Sequence, residues 1–285
     1  MMNLISSWFF LLMIDGLIEM LDKSATGACV CDLHIPSVIL ADDTSLISNT
    51  PSGLQKQLDI VYNYARRWHL RYNPNKSCIL FFSSSRKRQK QPADRPFILG
   101  QENINLHSEN VYAGVVLTDR LRNDTAITQA CRKGKRILNS LINIGVHDQG
   151  IHPMTSVKLW KTVVMPSILY GCELWDVISK KSIEELEVVQ RYAARRMQGF
   201  DQRSPTLCTI FSLGLVEMKR SIDKIKLMFW NRLCTSSYSL FYKKLFIARL
   251  CSFGSTTPRP KRGSLADIHS IMREYNIDFF FREYL

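Results

Sequence analysis

The chain has 285 residues, 46% of them hydrophobic, which is enough to bury a core in one or two domains and excludes a disordered polar tail. Lys and Arg number 38 against 25 Asp and Glu, a net charge of +13, so a polyanion such as nucleic acid is the favoured partner class, ahead of an anionic membrane surface or a merely solubilising charge. Eight cysteines stand without a CxxC pair, and no Walker loop, dinucleotide glycine pattern or Ser-His-Asp order is present, which argues for reduced intracellular thiols and against those chemistries.

Residues 4–14 are apolar and match a signal-peptide core in length, but no basic segment precedes them and Asp15 stops them short of the ~20 residues of a membrane span. A buried helix is the expectation. Cys29, Cys31 and His34 offer three zinc ligands without a matching second pair, a minor reading. Two β-prone runs, 37–40 and 45–48, then flank Asp42 and Asp43, a pattern that predicts an antiparallel hairpin with two carboxylates at its tip. Carboxylates that close repel unless a cation sits between them, and Mg²⁺ is the usual one; the plainer reading is a good turn dipeptide.

After Thr50-Pro51-Ser52-Gly53 a helix is expected, with Gln55 answering Ser52 and Leu54, Leu58, Val61, Ala65 and Trp68 forming one packed stripe. Residues 83–92 form a basic run, by default a solvated loop and alternatively a nuclear address. Residues 97–99 and 104–106 read as a hairpin, and 111–117 as one more strand.

From Asp124 the apolar period becomes helical. Ile127, Cys131, Ile137, Leu138, Leu141 and Ile142 make one face, and Arg132, Lys133 and Arg136 crowd the other. Pro153 should start a helix that Pro166 kinks or ends near Met165. Ser182-Ile183-Glu184-Glu185 reads as a capping box, with Leu186, Val189, Ala193 and Met197 inward. Arg191, Arg195 and Arg196 suit the end of that helix through its dipole, and nucleic-acid contact is a second claim on the same side chains. Helices over 216–233 and 239–250, a linker over 252–263 and a short helix over 265–275 complete the chain.

Ala41-Asp42-Asp43-Thr44 resembles the active-site hairpin of non-LTR retrotransposon reverse transcriptases of the jockey-like type. The resemblance continues through Leu54-Gln55-Lys56-Gln57-Leu58, Tyr64-Ala65-Arg66-Arg67-Trp68, Asn73-Pro74-Asn75-Lys76 and Tyr112-Ala113-Gly114-Val115. It extends to Leu169-Tyr170-Gly171-Cys172-Glu173-Leu174-Trp175, Val189-Gln190-Arg191, Ser204-Pro205-Thr206 and Leu213-Gly214-Leu215. It implies an α+β chain: a truncated polymerase palm over 1–120, a mainly α-helical thumb-like region over 121–250, and a linker with a terminal helix over 251–285. It also implies Asp42 and Asp43 as catalytic Mg²⁺ ligands, Lys76 near the nucleotide, and an RNA template and DNA primer as partners. Arg132, Lys133, Arg136, Arg191, Arg195 and Arg196 would hold nucleic acid through its phosphates.

Such palms take a further metal-binding Asp from an earlier strand. Asp15 falls in a segment resembling a later helix, and Asp22 and Asp32 stand too close to the hairpin. The chain therefore reads as the C-terminal part of an RNA-directed DNA polymerase, inactive alone, intracellular and without a membrane role. The competing reading is a non-catalytic, basic nucleic-acid-binding protein derived from one.

Overall fold

The computed structural model, which describes residues 4–82, 96–255 and 262–278, is α+β. It divides into two compact units, Met1–Leu121 and Arg122–Leu285. Among the described residues no helix is long and apolar enough to cross a membrane. The basic run at 83–92 lies outside the described residues, as do 256–261 of the expected linker; Ser252 to Ser255 are helical.

In the first unit, helix α1 (Leu4–Lys23) lies against helix α2 (Pro51–Arg67). Ile14, Leu17 and Leu21 recur at spacings of three and four and are buried, with Leu17 and Leu21 packing on Leu58, Val61 and Tyr64 of α2. The Tyr64 hydroxyl donates to the Met13 carbonyl, and a Cβ at Gly16 would come within 2.8 Å of that hydroxyl, so glycine is what allows the close approach. Of the segment 4–14 expected to be buried, Ile14 alone among the residues with described burial is so. Trp8, Phe9, Leu11 and Leu12 point away from the buried stripe and each leaves more than half its surface exposed.

Among the described residues the strands form four small sheets. Strands β1 (Ala28–Val30) and β2 (Leu33–Ile35) pair antiparallel, as do β3 (Ser37–Leu40) and β4 (Asp43–Leu46). Strand β5 (Cys78–Leu80) runs parallel to β7 (Glu102–His107), which pairs antiparallel with β6 (Phe97–Leu99) on its other edge. The single strand expected at 111–117 is instead a hairpin of β8 (Glu109–Tyr112) and β9 (Val115–Thr118). Ala113 and Gly114 take φ of 50° and 77°, as a two-residue type I′ turn requires, and so break an unbroken apolar run.

Three details of α2 differ from expectation. Thr50, not Ser52, caps it, accepting the Gly53 N–H at 3.1 Å. Gln55 bonds instead to Asp59 at 2.9 Å and to both backbone groups of Ile98 on β6. Trp68 falls past the last turn and is 49% exposed, so the packed stripe ends at Ala65.

The second unit is helical: α3 (Asp124–Asn143), α4 (Pro153–Leu159), α5 (Met165–Ile168), α6 (Lys180–Gln198), α7 (Thr206–Phe211), α8 (Met218–Thr235), α9 (Phe241–Ser255) and α10 (Ser264–Glu274). Ile127 and Leu138 of α3, Trp160 and Ile168, Leu186, Val189 and Met197 of α6, and Met218 and Ile222 of α8 share one core. Pro166 does not end its helix near Met165. A π turn over Trp160–Val164 joins α4 to α5, which runs on to Ile168, because widening the turn accommodates the proline ring. Helix α6 begins three residues before the expected box, with Ser179 as its cap. Ser182 donates to Asp124 at 2.9 Å and Glu185 accepts from Thr128 at 2.9 Å, both tying α6 to α3.

Glu187 of α6 accepts the Met218 N–H at 2.6 Å and so caps α8 from a neighbouring helix; burial pushes its carboxyl above the usual range. Trp230 of α8 meets Phe246 of α9 edge to face at 5.0 Å, and Leu265, Ile268 and Met272 of α10 close that second cluster. The buried Lys226 ammonium bonds Asp267 at 2.5 Å and the Trp175 carbonyl. Cys131 and Cys172 are buried, their thiols pushed by burial to about 11 and about 12, whereas Cys29, Cys31, Cys208 and Cys251 are exposed.

Candidate functional site

Strands β3 and β4 pair from Ser37↔Leu46 to Leu40↔Asp43, which leaves Ala41 and Asp42 as a two-residue turn. The second strand begins at Asp43, two residues earlier than the sequence pattern predicts. Ala41 takes φ of 52°, a left-handed position that costs an alanine about 1–2 kcal/mol. Asp42 in the turn and Asp43 at the first strand position are both exposed.

The base of this hairpin is clamped. Ile47 N–H donates to the Pro36 carbonyl at 2.8 Å, closing the ladder one step beyond the strands. The Gln57 side-chain amide, fully buried on α2, donates to the carbonyls of Pro36 and Ile47 at 3.1 Å each. Ser48 donates to the Thr26 carbonyl at 2.9 Å, and Tyr112 of β8 reaches the Val38 carbonyl at 3.3 Å. Gln57 escapes sequence reasoning because it is polar. Its phase is nonetheless that of the core, four residues after Gly53 and four before Val61.

Two exposed carboxylates from successive residues suit a hard cation. Mg²⁺ takes oxygen ligands and keeps several waters, so a pair of Asp side chains can anchor it. Among the described residues no third His, Cys, Asp or Glu joins them in a metal-sized cluster. The donor set thus fits one hydrated ion held from one side. Cys29 and His34 are cross-strand partners in the β1–β2 pair, but His34 Nε2 accepts the Gly27 N–H at 2.9 Å, and no ligand cluster forms there.

Lys76 is exposed at the end of a 3₁₀ turn, Pro74–Lys76, that Asn73 caps through the Asn75 N–H at 3.0 Å. On α3, Arg132, Lys133 and Arg136 are all exposed, opposite Ile127 and Leu138. The arginines of α6 divide. Arg191 is ion-paired with Glu184, two turns earlier on the same face. Arg195 donates to the Ser204 carbonyl at 3.0 Å, with its Nε buried and unbonded. Arg196 is exposed. Four of the six basic candidates therefore face solvent, and Arg191 and Arg195 are engaged within the fold.

No protein-family model matches the sequence. The chain is similar to the RNA-directed DNA polymerase from mobile element jockey of Drosophila melanogaster, 25% identical over 169 residues, which cover 56% of this chain and 18% of that protein. It is also similar to the probable RNA-directed DNA polymerase from transposon BS of the same organism, 25% identical over 188 residues, or 62% of this chain and 20% of that protein. The chain spans about a fifth of the length of these two curated relatives. The similarity supports a distant relationship to the reverse transcriptases of non-LTR retrotransposons.

Proposed function

We propose that the chain is part of a non-LTR retrotransposon reverse transcriptase, with residues 1–120 a palm remnant, 121–250 a thumb-like region and 251–285 its terminal extension. One observation carries the reading: a chain distantly similar to two RNA-directed DNA polymerases presents adjacent exposed Asp42 and Asp43 at the tip of a hairpin clamped at its base. Bound Mg²⁺ would supply charge to a primer hydroxyl and the nucleotide phosphates. Asp42 and Asp43 hold the ion's water shell, and the Gln57 clamp anchors the hairpin that carries them. Lys76 offers a cation to the nucleotide, and Arg132, Lys133, Arg136 and Arg196 bind RNA–DNA duplex through its phosphates.

Two carboxylates cannot set a two-metal geometry alone, so the 285-residue chain does not extend primers by itself. Primer extension on an RNA template with Mg²⁺ or Mn²⁺ should match an Asp42→Ala/Asp43→Ala control. The exposed basic face of α3 favours a second reading, a non-catalytic nucleic-acid-binding protein. Paramagnetic broadening by Mn²⁺ separates the two. Amide signals of residues 40–44 should broaden selectively and recover in Asp42→Asn/Asp43→Asn; uniform or absent broadening leaves only the binding protein.

A further inference from the structure

The outer side of α8 carries a cleft of about 570 Å³, within the size range of small-ligand sites. Leu227 and Met228 supply its apolar lining, and Tyr275, just past α10, lines it as well. Arg220, Lys224 and Arg232 stand around it, and Asn231 offers both a donor and an acceptor.

The tyrosine is held in place. Tyr275 donates its hydroxyl to Asp223 at 3.1 Å, and the Asp223 carboxylate is met by Lys219 at 3.5 Å. Lys219 also pairs with Glu274, the last residue of α10. The ring is thus pinned by its far end while 40% of the residue stays exposed. The Arg232 guanidinium lies 5.8 Å from the Phe229 ring centre and the Arg220 Nε 3.1 Å from Glu217, so two of the three cations have a fixed station. Lys224 is exposed and one helical turn from Met228.

An aromatic side chain with an apolar lining, a bifunctional amide and a cationic rim matches one nucleotide: a base to stack, an edge to bond, a phosphate to neutralise. An acyl ligand's anionic head would meet the cations, but its chain would leave the Asn231 amide unused. A paired base cannot offer its face to Tyr275, because both faces are covered in the duplex. We propose that this cleft binds an unpaired nucleotide of a nucleic-acid strand, a site separate from the phosphate-binding face of α3. The inference rests on the nucleic-acid reading of the helical unit and adds single-strand recognition to it.

The test uses the full chain and two fluorescent probes, a short oligothymidylate and an RNA–DNA duplex, with anisotropy as readout. Tyr275→Ala should weaken oligothymidylate binding roughly ten- to hundredfold, the value of one lost stacking contact, and leave duplex binding unchanged. Tyr275→Phe keeps the ring and should retain most of the affinity, which separates stacking from the structural bond to Asp223. An iodouracil-containing strand irradiated with wild-type protein should crosslink to Tyr275 or Met228. Unchanged oligothymidylate affinity in Tyr275→Ala, equal losses on both probes, crosslinks mapping elsewhere, or thymidine monophosphate displacing the strand at equal concentration would each overturn the proposal. Loss of duplex binding in wild type would instead sink the broader reading.

Discussion

The side-chain amide of Gln57 donates to the main-chain carbonyl of Ile47 at 3.1 Å, and through the same nitrogen to Pro36. A helix side chain thereby joins the two ends of a four-residue-per-strand hairpin, an element too short to be stable by its own ladder. The hairpin that carries Asp42 and Asp43 is thus anchored at its base by a residue with no charge and no exposure.

Gln57→Leu keeps the volume and removes both bonds. The Ile47 carbonyl loses this partner, so unfolding should become easier by about 1–3 kcal/mol. Hydrogen exchange at residues 37–47 should accelerate more than in α2. Equal acceleration across the first unit would mean that Gln57 supports the core generally and not the hairpin.

Ala41 is a non-glycine residue held at φ 52° in a two-residue turn. Ala41→Gly removes the Cβ clash and, against the extra freedom of glycine when unfolded, should stabilise the chain by about 0.5–1 kcal/mol. Thermal melts of the two proteins provide the comparison. A lower melting temperature in the glycine variant would show that the turn carries no strain.

The basic side chains should separate by salt dependence. Arg132→Gln/Lys133→Gln/Arg136→Gln should flatten the plot of log duplex affinity against log salt by about 2–3, since each lost phosphate contact removes about 0.9. Arg191→Gln/Arg195→Gln removes the pairing to Glu184 and the bond to Ser204, so the melting temperature should fall while the slope stays. A slope change in the second variant would return those arginines to the nucleic-acid face.

Burial pushes Glu187 above its ordinary value of 4.5, against the pull of the Met218 and Lys219 N–H groups. The folded chain therefore keeps that proton to higher pH than the unfolded chain does. The associated stability is complete below 4.5 and fades as pH rises through the raised value. Glu187→Gln keeps an acceptor for the Met218 N–H and never ionises. Its stability relative to wild type should improve as pH climbs from 4.5, read from urea midpoints; parallel curves would contradict the shift.

Much of this architecture is readable from period and turn chemistry. The strands around Asp42 and Asp43 follow from aliphatic runs on either side of a turn pair, and the inward faces of α3 and α6 follow from spacings of three and four. What the pattern misses depends on tertiary partners or on competing local chemistry. Runs such as Thr50-Pro51-Ser52 and Ser179-Lys180-Lys181-Ser182 offer two hydroxyls each, and neighbouring packing selects the first. The Ala113–Gly114 turn interrupts an apolar run that shows no gap. The tie of Arg195 to Ser204 depends on a loop that the helix period does not register.

The bare half of α1 sets the colloidal behaviour of the protein. Trp8, Phe9, Leu11 and Leu12 form a greasy ledge on a molecule whose net charge of +13 keeps copies apart. Sulfate screens that repulsion and strengthens apolar association at the same time. A salt series run to test duplex binding on α3 would thus also drive ledge against ledge, and turbidity, not dissociation, would set the ceiling on a sulfate titration.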